Sequence, residues 1–340
     1  MRNTLITGAP GWLGNRLVEV LTDSRHELQC YSSFSERNVR CLILPSIDST
    51  SIDKFSIEKI HGDILNIQSL KEAMKGVETV FHLVGIIHPK KVSDFYKINR
   101  DGLKNVLDAA VQAGVKRIVI ISSNSPAGVN KKRSLLLHED DTPNPYKHYG
   151  KSKLEAERLA LDFHKRGDIE VVILRPCWFY GPGQPARQTR FFQMIKKGNP
   201  LIFGDGKNLR SMSYLDNTIQ GLLLAESSEK APGNIYWIAD EKPYTTLEIY
   251  ETIADLLQVN LKPRFLPRFV SWGCEQVDDI LQSIGLYSTD FHVAGEMVYD
   301  IACSIKKAQD ELGYNPIIDL QEGMRRSIEW CNSHEKNNNL

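Results

Sequence analysis

Apolar runs alternate with amphipathic stretches through the first half of the chain, and that alternation predicts the architecture. Thr4–Thr7, Val80–Val84, Arg117–Ser122 and Glu170–Leu174 are short apolar runs of the length of buried strands. Between them, Leu13–Leu21, Ser69–Lys75, Phe95–Ala113 and Gly150–Lys165 read as helices. In Phe95–Ala113 the apolar positions Phe95, Ile98, Leu103, Val106, Leu107 and Ala110 fall near helical spacing. Strand–helix alternation predicts an α/β fold of Rossmann type, a doubly wound parallel sheet with helices on both faces.

Two runs compete for the second strand, Glu27–Tyr31 and Val39–Leu44. The second is preferred because it runs into Pro45 and a polar loop leading to Ile57–His61; the first then lies in an inserted loop. Beyond Arg175-Pro176 the pattern becomes irregular, with Gly181, Pro182, Gly183 and Pro185 close together. Thr245 and Glu248 have capping-box spacing at the start of Leu247–Leu257. The expected organisation is a dinucleotide-binding domain over 1–175 and a smaller C-terminal α/β substrate lobe over 176–335, with the chain re-entering the first domain around 207–240. The polar end, Glu335–Leu340, is expected to fray.

Composition narrows the function classes. Apolar residues make up 41% of 340, enough for a sizeable core. Lys+Arg and Asp+Glu are equal at 42 each, which leaves no electrostatic footprint for nucleic acid or an anionic membrane. An anionic ligand must then be held by local groups. The six cysteines, at 30, 41, 177, 274, 303 and 331, make no metal-binding spacing and read as reduced thiols. No metal site is expected. With no basic segment ahead of an apolar run near Met1, and no stretch of about 18 apolar residues, a cytoplasmic protein is expected.

Three motifs carry chemistry. Gly8, Gly11, Trp12, Leu13 and Gly14 form a loop between a strand and a helix; glycines there let the backbone approach a pyrophosphate seated on the positive end of the helix. Their G-x-x-G-x-x-G spacing differs from the G-x-G-x-x-G of other dinucleotide folds. Tyr149 and Lys153 are four apart and share a helix face. A free tyrosine, with a pKa of about 10, is a poor base at neutral pH; an adjacent ammonium and an oxidised nicotinamide would stabilise its phenolate. Ser122 and Ser123 end a strand, where open α/β sheets bind ligands, and a serine there can hydrogen-bond a reacting oxygen. Each motif alone has an ordinary structural explanation. Their joint occurrence at these strand ends does not.

With these motifs the chain resembles the extended short-chain dehydrogenases/reductases of the NAD-dependent epimerase/dehydratase type. The likeness runs from about residue 1 to 330 and takes in Thr7–Gly14, His61-Gly62-Asp63-Ile64, Val80–Gly85, Asn99, Ser122-Ser123, Tyr149–Lys153, Leu174-Arg175-Pro176, Tyr180–Gly183, Gly204–Asp216 and Glu311–Tyr314. It implies that Asp63 binds the adenine amino group and Ile64 flanks the ring. Val84, Gly85, Ser122 and Pro176 line the cofactor, and Asn99 supports the site. It makes Ser123 the catalytic hydroxyl (Ser122 being the alternative), Tyr149 the general acid/base and Lys153 its partner, with Asn124 and Trp178 toward the substrate. Arg210 matches an arginine that contacts the diphosphate of nucleotide sugars; a salt bridge closing the lobe is the other reading. Homodimers through Phe95–Ala113 and Gly150–Lys165 are implied as well.

Departures from the family pattern matter. Trp178 stands where nucleotide-sugar enzymes often carry asparagine, and Asn124-Ser125 replace the acid pair of dehydratases, so dehydration is not expected. Cofactor choice between NAD and NADP stays open. Leu44-Pro45-Ser46 offers neither acid nor arginine, whereas a strand at Glu27–Tyr31 would bring Ser32, Ser33 and Arg37 to an NADP phosphate. The expected activity is a nucleotide-sugar 4-epimerase or 4-ketoreductase. A steroid-like or other apolar substrate is the alternative, suggested by Trp178 and by Phe265, Leu266, Phe269, Val270 and Trp272. A cofactor-sensing protein without catalysis is the third. His82 reads as a core histidine, and Lys131–Arg133 and His138–Asp141 as solvated turns.

Overall fold

The computed structural model describes residues 2–33 and 36–337, apart from the side chains of residues 187 and 335–337. Residues 338–340, part of the end expected to fray, lie outside the described residues. The first half contains β1 (Arg2–Thr7), α1 (Trp12–Thr22), β2 (Arg37–Ile43), β3 (Glu58–His61), α2 (Ile67–Ala73), β4 (Thr79–His82) and a short α3 (Val92–Phe95). A π-helical stretch, Tyr96–Gly102, leads into α4 (Leu103–Gln112), followed by β5 (Arg117–Ile121), α5 (Lys147–Lys165) and β6 (Glu170–Pro176). The second half contains β7 (Trp178–Tyr180), α6 (Ala186–Lys196), β8 (Leu201–Phe203), β9 (Leu209–Arg210), β10 (Met212–Tyr214), α7 (Leu215–Ser227) and β11 (Ile235–Ile238). It continues with β12 (Tyr244–Thr245), α8 (Thr246–Leu256), β13 (Arg264–Leu266), α9 (Arg268–Ser283), α10 (Thr289–Glu296), α11 (Lys306–Leu312) and α12 (Leu320–Asn337).

A 7-stranded parallel sheet in the order β11-β6-β5-β4-β1-β2-β3 forms the centre. Alternate strand residues feed opposite cores, as the two-residue period of a strand requires. Ile6, Phe81, Val119 and Val172 pack with Leu17 of α1, Leu222 of α7 and Leu312 of α11. Leu5, Val80, Ile118 and Val171 pack with Leu70 of α2, Leu107 of α4 and Ala160 of α5. A third core, with Phe192, Ile253 and Met324, lies among α6, α8 and α12.

Β2 occupies the preferred run. Glu27–Tyr31 is a 3₁₀ turn in which Leu28 is buried and His26 Nδ1 accepts the Leu28 N–H at 3.2 Å. Glu27–Tyr31 holds none of the β-branched residues that favour pleated backbone, whereas β2 carries Val39 and Ile43. The expected Phe95–Ala113 helix starts earlier, at Val92, and is interrupted by the π-helical stretch, which buries Asn99. The Thr245–Glu248 capping box is present, with the Glu248 N–H 3.0 Å from Thr245 Oγ1. His82 is a core histidine, its Nδ1 2.8 Å from Thr7 Oγ1, and burial pushes it down to about 3. The His138–Asp141 turn is not wholly solvated, since Glu139 Oε1 accepts the Trp237 N–H of β11 at 2.9 Å. Arg133, in the other turn, pairs with Asp300 at 3.0 Å.

At the amino ends of the strands, Arg37 and Arg117 bind the last turn of α7. Arg37 donates to both Glu226 oxygens at 2.7 and 2.6 Å, and the two side chains are 1% and 0% exposed. Arg117 Nη1 donates to the carbonyls of Ala225 at 3.1 Å and Ser228 at 2.8 Å, groups that a helix end leaves without intrahelical donors. Replacing Glu226 with leucine removes the acceptor from a buried cation. The expected outcome is a loss of about 3–5 kcal/mol in unfolding free energy, read as a lower urea midpoint at unchanged slope.

Candidate functional site

The glycine loop is a cradle that side chains would fill. Gly8 has φ +99°, and a methyl group on it would lie 2.9 Å from the Leu83 carbonyl carbon and 3.0 Å from Val84 N. On Gly11 it would meet Gly8 O at 2.7 Å, and on Gly14 the same oxygen at 2.5 Å. The loop therefore needs glycine at all three positions to turn into α1 and close against the segment after β4. Gly11 caps α1 and itself brings no side chain to the positive end of the helix. A dinucleotide pyrophosphate fits there. Leu13 packs on the core, and the Trp12 indole N–H donates to Pro182 O at 2.6 Å, which joins the loop to the segment after β7.

Of the residues expected around the rest of the cofactor, Val84 lies against the glycine loop, and Gly85 meets Asn99 and Lys153. Asp63 follows β3 half-buried, with Oδ1 accepting the Leu65 N–H at 2.9 Å. Ile64 is buried against Gly102. Asn99 accepts the Ile86 N–H at 2.8 Å and donates to Ile86 O and Ser152 Oγ, each at 3.2 Å, so it ties the segment after β4 to α5. A methyl group on Gly85 would sit 3.6 Å from Asn99 Oδ1 and 3.7 Å from Lys153 Nζ, which brings Gly85, Asn99 and Lys153 to one place.

Helix α5 begins where Tyr146 N–H donates to Ser125 O at 3.0 Å. A methyl group on Gly150 would approach Ser125 O to 2.5 Å, so glycine lets the first turn of α5 touch the serine turn after β5. Tyr149 is half-buried with its ring 5.6 Å from that of Phe95. Lys153 is buried, and its Nζ donates to Ile121 O at 2.9 Å. Burial lowers the Lys153 ammonium from 10.5 to about 8, against the upward pull of the Glu157 carboxylate. Ser122 Oγ donates to Glu157 Oε1 at 2.5 Å, and Arg175 grips Glu157 at 2.9 and 2.6 Å. Ser122 is thus committed to a buried network. Ser123, the next residue, is half-buried and its Oγ accepts the Ser125 N–H at 3.1 Å, which leaves its own proton to give. Of the two serines, Ser123 is the one whose hydroxyl can donate to a ligand. Asn124 is half-buried, and its carbonyl accepts the Ala127 and Gly128 N–H groups at 3.0 and 3.2 Å.

Glu157 has the clearest signal among the residues that motif reading missed, since it continues the Tyr149–Lys153 spacing by four. Pro176 ends β6 and leads to Trp178, half-buried with its ring 5.6 Å from that of Phe191. Arg210 is buried on β9, and its charge acts on the Cys177 thiol beside Pro176. Its Nη2 donates to Glu296 O at 2.7 Å while its Nε has no hydrogen-bond partner. It makes no lobe-closing salt bridge among the described residues.

The NADP arrangement of Ser32, Ser33 and Arg37 is overturned. Arg37 begins β2, at the opposite end of the sheet from the glycine loop, and is held by Glu226 and by Ser32 Oγ at 2.7 Å. The Ser33 N–H donates to Ser227 Oγ at 3.2 Å. Among the described residues no group of three or more His, Cys, Asp or Glu could hold a metal ion. None of the described helices is long and apolar enough to cross a membrane.

Gly14→Ala is expected to weaken cofactor binding roughly tenfold or more, measured by titration of the purified protein, because the loop must open around the added methyl. Lys153 gives a pH signature. Between about 8 and 10.5 the unfolded chain binds a proton that the folded chain releases, so stability rises with pH across that window. Relative to Lys153→Met, the parent is expected to gain on the order of 2 kcal/mol from pH 8 to pH 10 in urea unfolding. A difference independent of pH would contradict the buried ammonium.

The family described as "NAD dependent epimerase/dehydratase family" matches residues 4–239. A Sinorhizobium fredii protein, "Uncharacterized protein y4nL", is 43% identical over 336 residues, which cover 96% of this chain and 94% of that one. The "3beta-hydroxysteroid-dehydrogenase/decarboxylase isoform 2" of Arabidopsis thaliana is 27% identical over 352 residues, covering 96% of this chain and 61% of its own. Among solved structures, "MoeE5 in complex with UDP-glucuronic acid and NAD" superposes with a TM-score of 0.74 at 26% identity, covering 98% of this chain and 99% of that one. The chain belongs to the NAD-dependent epimerase/dehydratase family, extended short-chain dehydrogenases/reductases whose oxidoreductase-type chemistry uses a nicotinamide cofactor.

Proposed function

We propose that the chain is an NAD-dependent 4-epimerase or 4-ketoreductase of a nucleotide sugar. The observation that carries the substrate class is Arg210, a buried guanidinium whose Nε has no acceptor among the described residues and whose strand leads into β10, the partner of β7. A buried donor of this kind is costly unless something binds it, and a diphosphate oxygen is a fitting acceptor. MoeE5, bound to UDP-glucuronic acid and NAD, supports the same class. NAD rather than NADP is favoured because β2 ends at Ile43 and continues as Leu44-Pro45-Ser46, with no cation for a 2′-phosphate.

In this reading Tyr149 takes the proton from the sugar 4-hydroxyl or returns it to the 4-ketone. Ser123 donates to the same oxygen. Lys153, fixed by Ile121 O, supplies positive charge that favours the tyrosinate. A nicotinamide held in this groove would supply the hydride chemistry that accompanies the proton transfer by Tyr149. Gly8, Gly11 and Gly14 seat the pyrophosphate, with Trp12 closing the loop's outer side; Asp63 and Ile64 hold the adenine, and Val84, Gly85 and Pro176 line the groove. Trp178 and Asn124 flank the sugar. Asn124-Ser125 provide no acid–base pair for dehydration.

A second reading, an apolar hydroxyl or ketone substrate, draws on the 27% identity to the Arabidopsis hydroxysteroid enzyme and on the aromatic Trp178–Phe191 wall. One assay separates the two. Tyr149→Phe is expected to lower turnover of UDP-glucose or UDP-glucuronic acid at least about a hundredfold. Arg210→Gln is expected to raise KM for the nucleotide sugar roughly ten- to hundredfold. No turnover of any nucleotide sugar, with oxidation of a 3β-hydroxysteroid that Arg210→Gln leaves intact, would establish the second reading.

A further inference from the structure

Helix α9 is folded with its polarity reversed. Its buried residues are Ser271, Asp278 and Gln282, and two of its three acids, Glu275 and Asp278, face the protein. Glu275 accepts from Tyr299 Oη at 2.6 Å, Asp278 Oδ2 lies 2.9 Å from His292 Nδ1, and both Glu275 and Asp279 pair with Lys147. The apolar side faces out. Phe269 and Trp272 are 69% and 61% exposed, and Ile280 and Ile284 are 65% and 66% exposed. At about 100° per residue these four fall within an arc of roughly 120° along a helix of roughly 24 Å. Phe265 and Leu286, also exposed, extend the stripe at its two ends.

Large apolar side chains exposed along one face, with Gln276 and Ser283 between them, mark a binding surface. Cations flank both ends. Lys262, Arg264 and Arg268 are exposed beside Phe265, and Lys90 and Lys91 are exposed where Lys91 bridges to Leu286. The zero net charge of the whole chain conceals this local excess; on α9 Glu275 and Asp278 are turned inward, and the exposed Asp279 is paired with Lys147. An isologous contact with a second copy would gather the same cations around one axis, whereas anionic headgroups would neutralise them.

We propose that this face docks the protein on an anionic lipid bilayer, α9 lying in the interface plane with Phe269 and Trp272 among the acyl chains. The docking is peripheral and needs no spanning helix. It is independent of the substrate reading, because the test uses no substrate. Flotation is run with vesicles of phosphatidylcholine alone and of phosphatidylcholine mixed with phosphatidylglycerol. The protein is expected to float with the anionic vesicles and to be released partly by salt. Phe269→Ser with Trp272→Ser is expected to cut the partition coefficient about tenfold or more, and Arg264→Glu with Arg268→Glu to remove the preference for anionic lipid. All four positions are exposed, and circular dichroism with the unfolding midpoint verifies that each variant is folded. The proposal fails if the parent does not float, or if the apolar double variant floats equally well. It also fails if light scattering finds a dimer that this variant dissociates, which would make the face a contact between copies.

Discussion

One buried carboxylate sets the geometry on which the candidate site depends. Glu157 is 3% exposed, and a buried charge is tolerated only when its surroundings answer it. Here Ser122 answers from the end of β5, Arg175 answers with its planar fork from β6, and the Lys153 ammonium answers from one turn earlier on α5. Three elements are bound through one side chain. The rotation of α5 about its axis is fixed by that junction, so the face carrying Tyr149 is fixed as well. Glycine is the complementary device at the same boundary, since Gly150 allows the helix to come within contact of Ser125.

Much of this was legible in the sequence, for a physical reason. Parallel strands covered on both faces must be apolar throughout, so the runs Thr4–Thr7, Arg117–Ser122 and Glu170–Leu174 were visible without structural help. The family's seven-stranded Rossmann sheet follows from them. What escaped were features decided by distant contacts. Nothing local marks Tyr96–Gly102 as π-helical, because the stretch answers to Asn99 bonding Ile86 and Ser152 across the fold. Arg37 looked available to a phosphate, with Ser32 and Ser33, on the alternative that Glu27–Tyr31 is the second strand, yet its partner, Glu226, is nearly two hundred residues away in sequence. Glu157 could have been found by carrying the spacing of four one step further. Phe265, Phe269 and Trp272, read from the sequence as suiting an apolar substrate, are exposed in the structure, because an apolar run does not say which way its side chains point.

The second half of the chain is tied to the sheet by comparable means. Asp240, just past β11, accepts from Tyr180 Oη at 2.6 Å, from Tyr214 N at 3.1 Å and from Asn217 Nδ2 at 3.1 Å. It thereby joins β7, β10 and α7, and its burial lifts it to about 7 despite those donors. Arg16 of α1 clasps Asp216 of α7 at 2.7 and 2.8 Å. The strand that carries Trp178 and the strand beside Arg210 are therefore braced from beneath, and the glycine-loop helix shares the bracing.

The regular spacing of Tyr149, Lys153 and Glu157 has a consequence for how such a chain can diversify. Since each turn of α5 contributes one of the three, a single residue inserted between Lys153 and Glu157 would swing everything beyond it by about 100° and aim Glu157 away from Arg175. Side chains on the outer face of the helix can be exchanged at little cost, but its length over this stretch cannot change. New specificities must instead arise in the loops and in the strands that face it, where an added residue alters the walls of the groove and leaves the helix in phase.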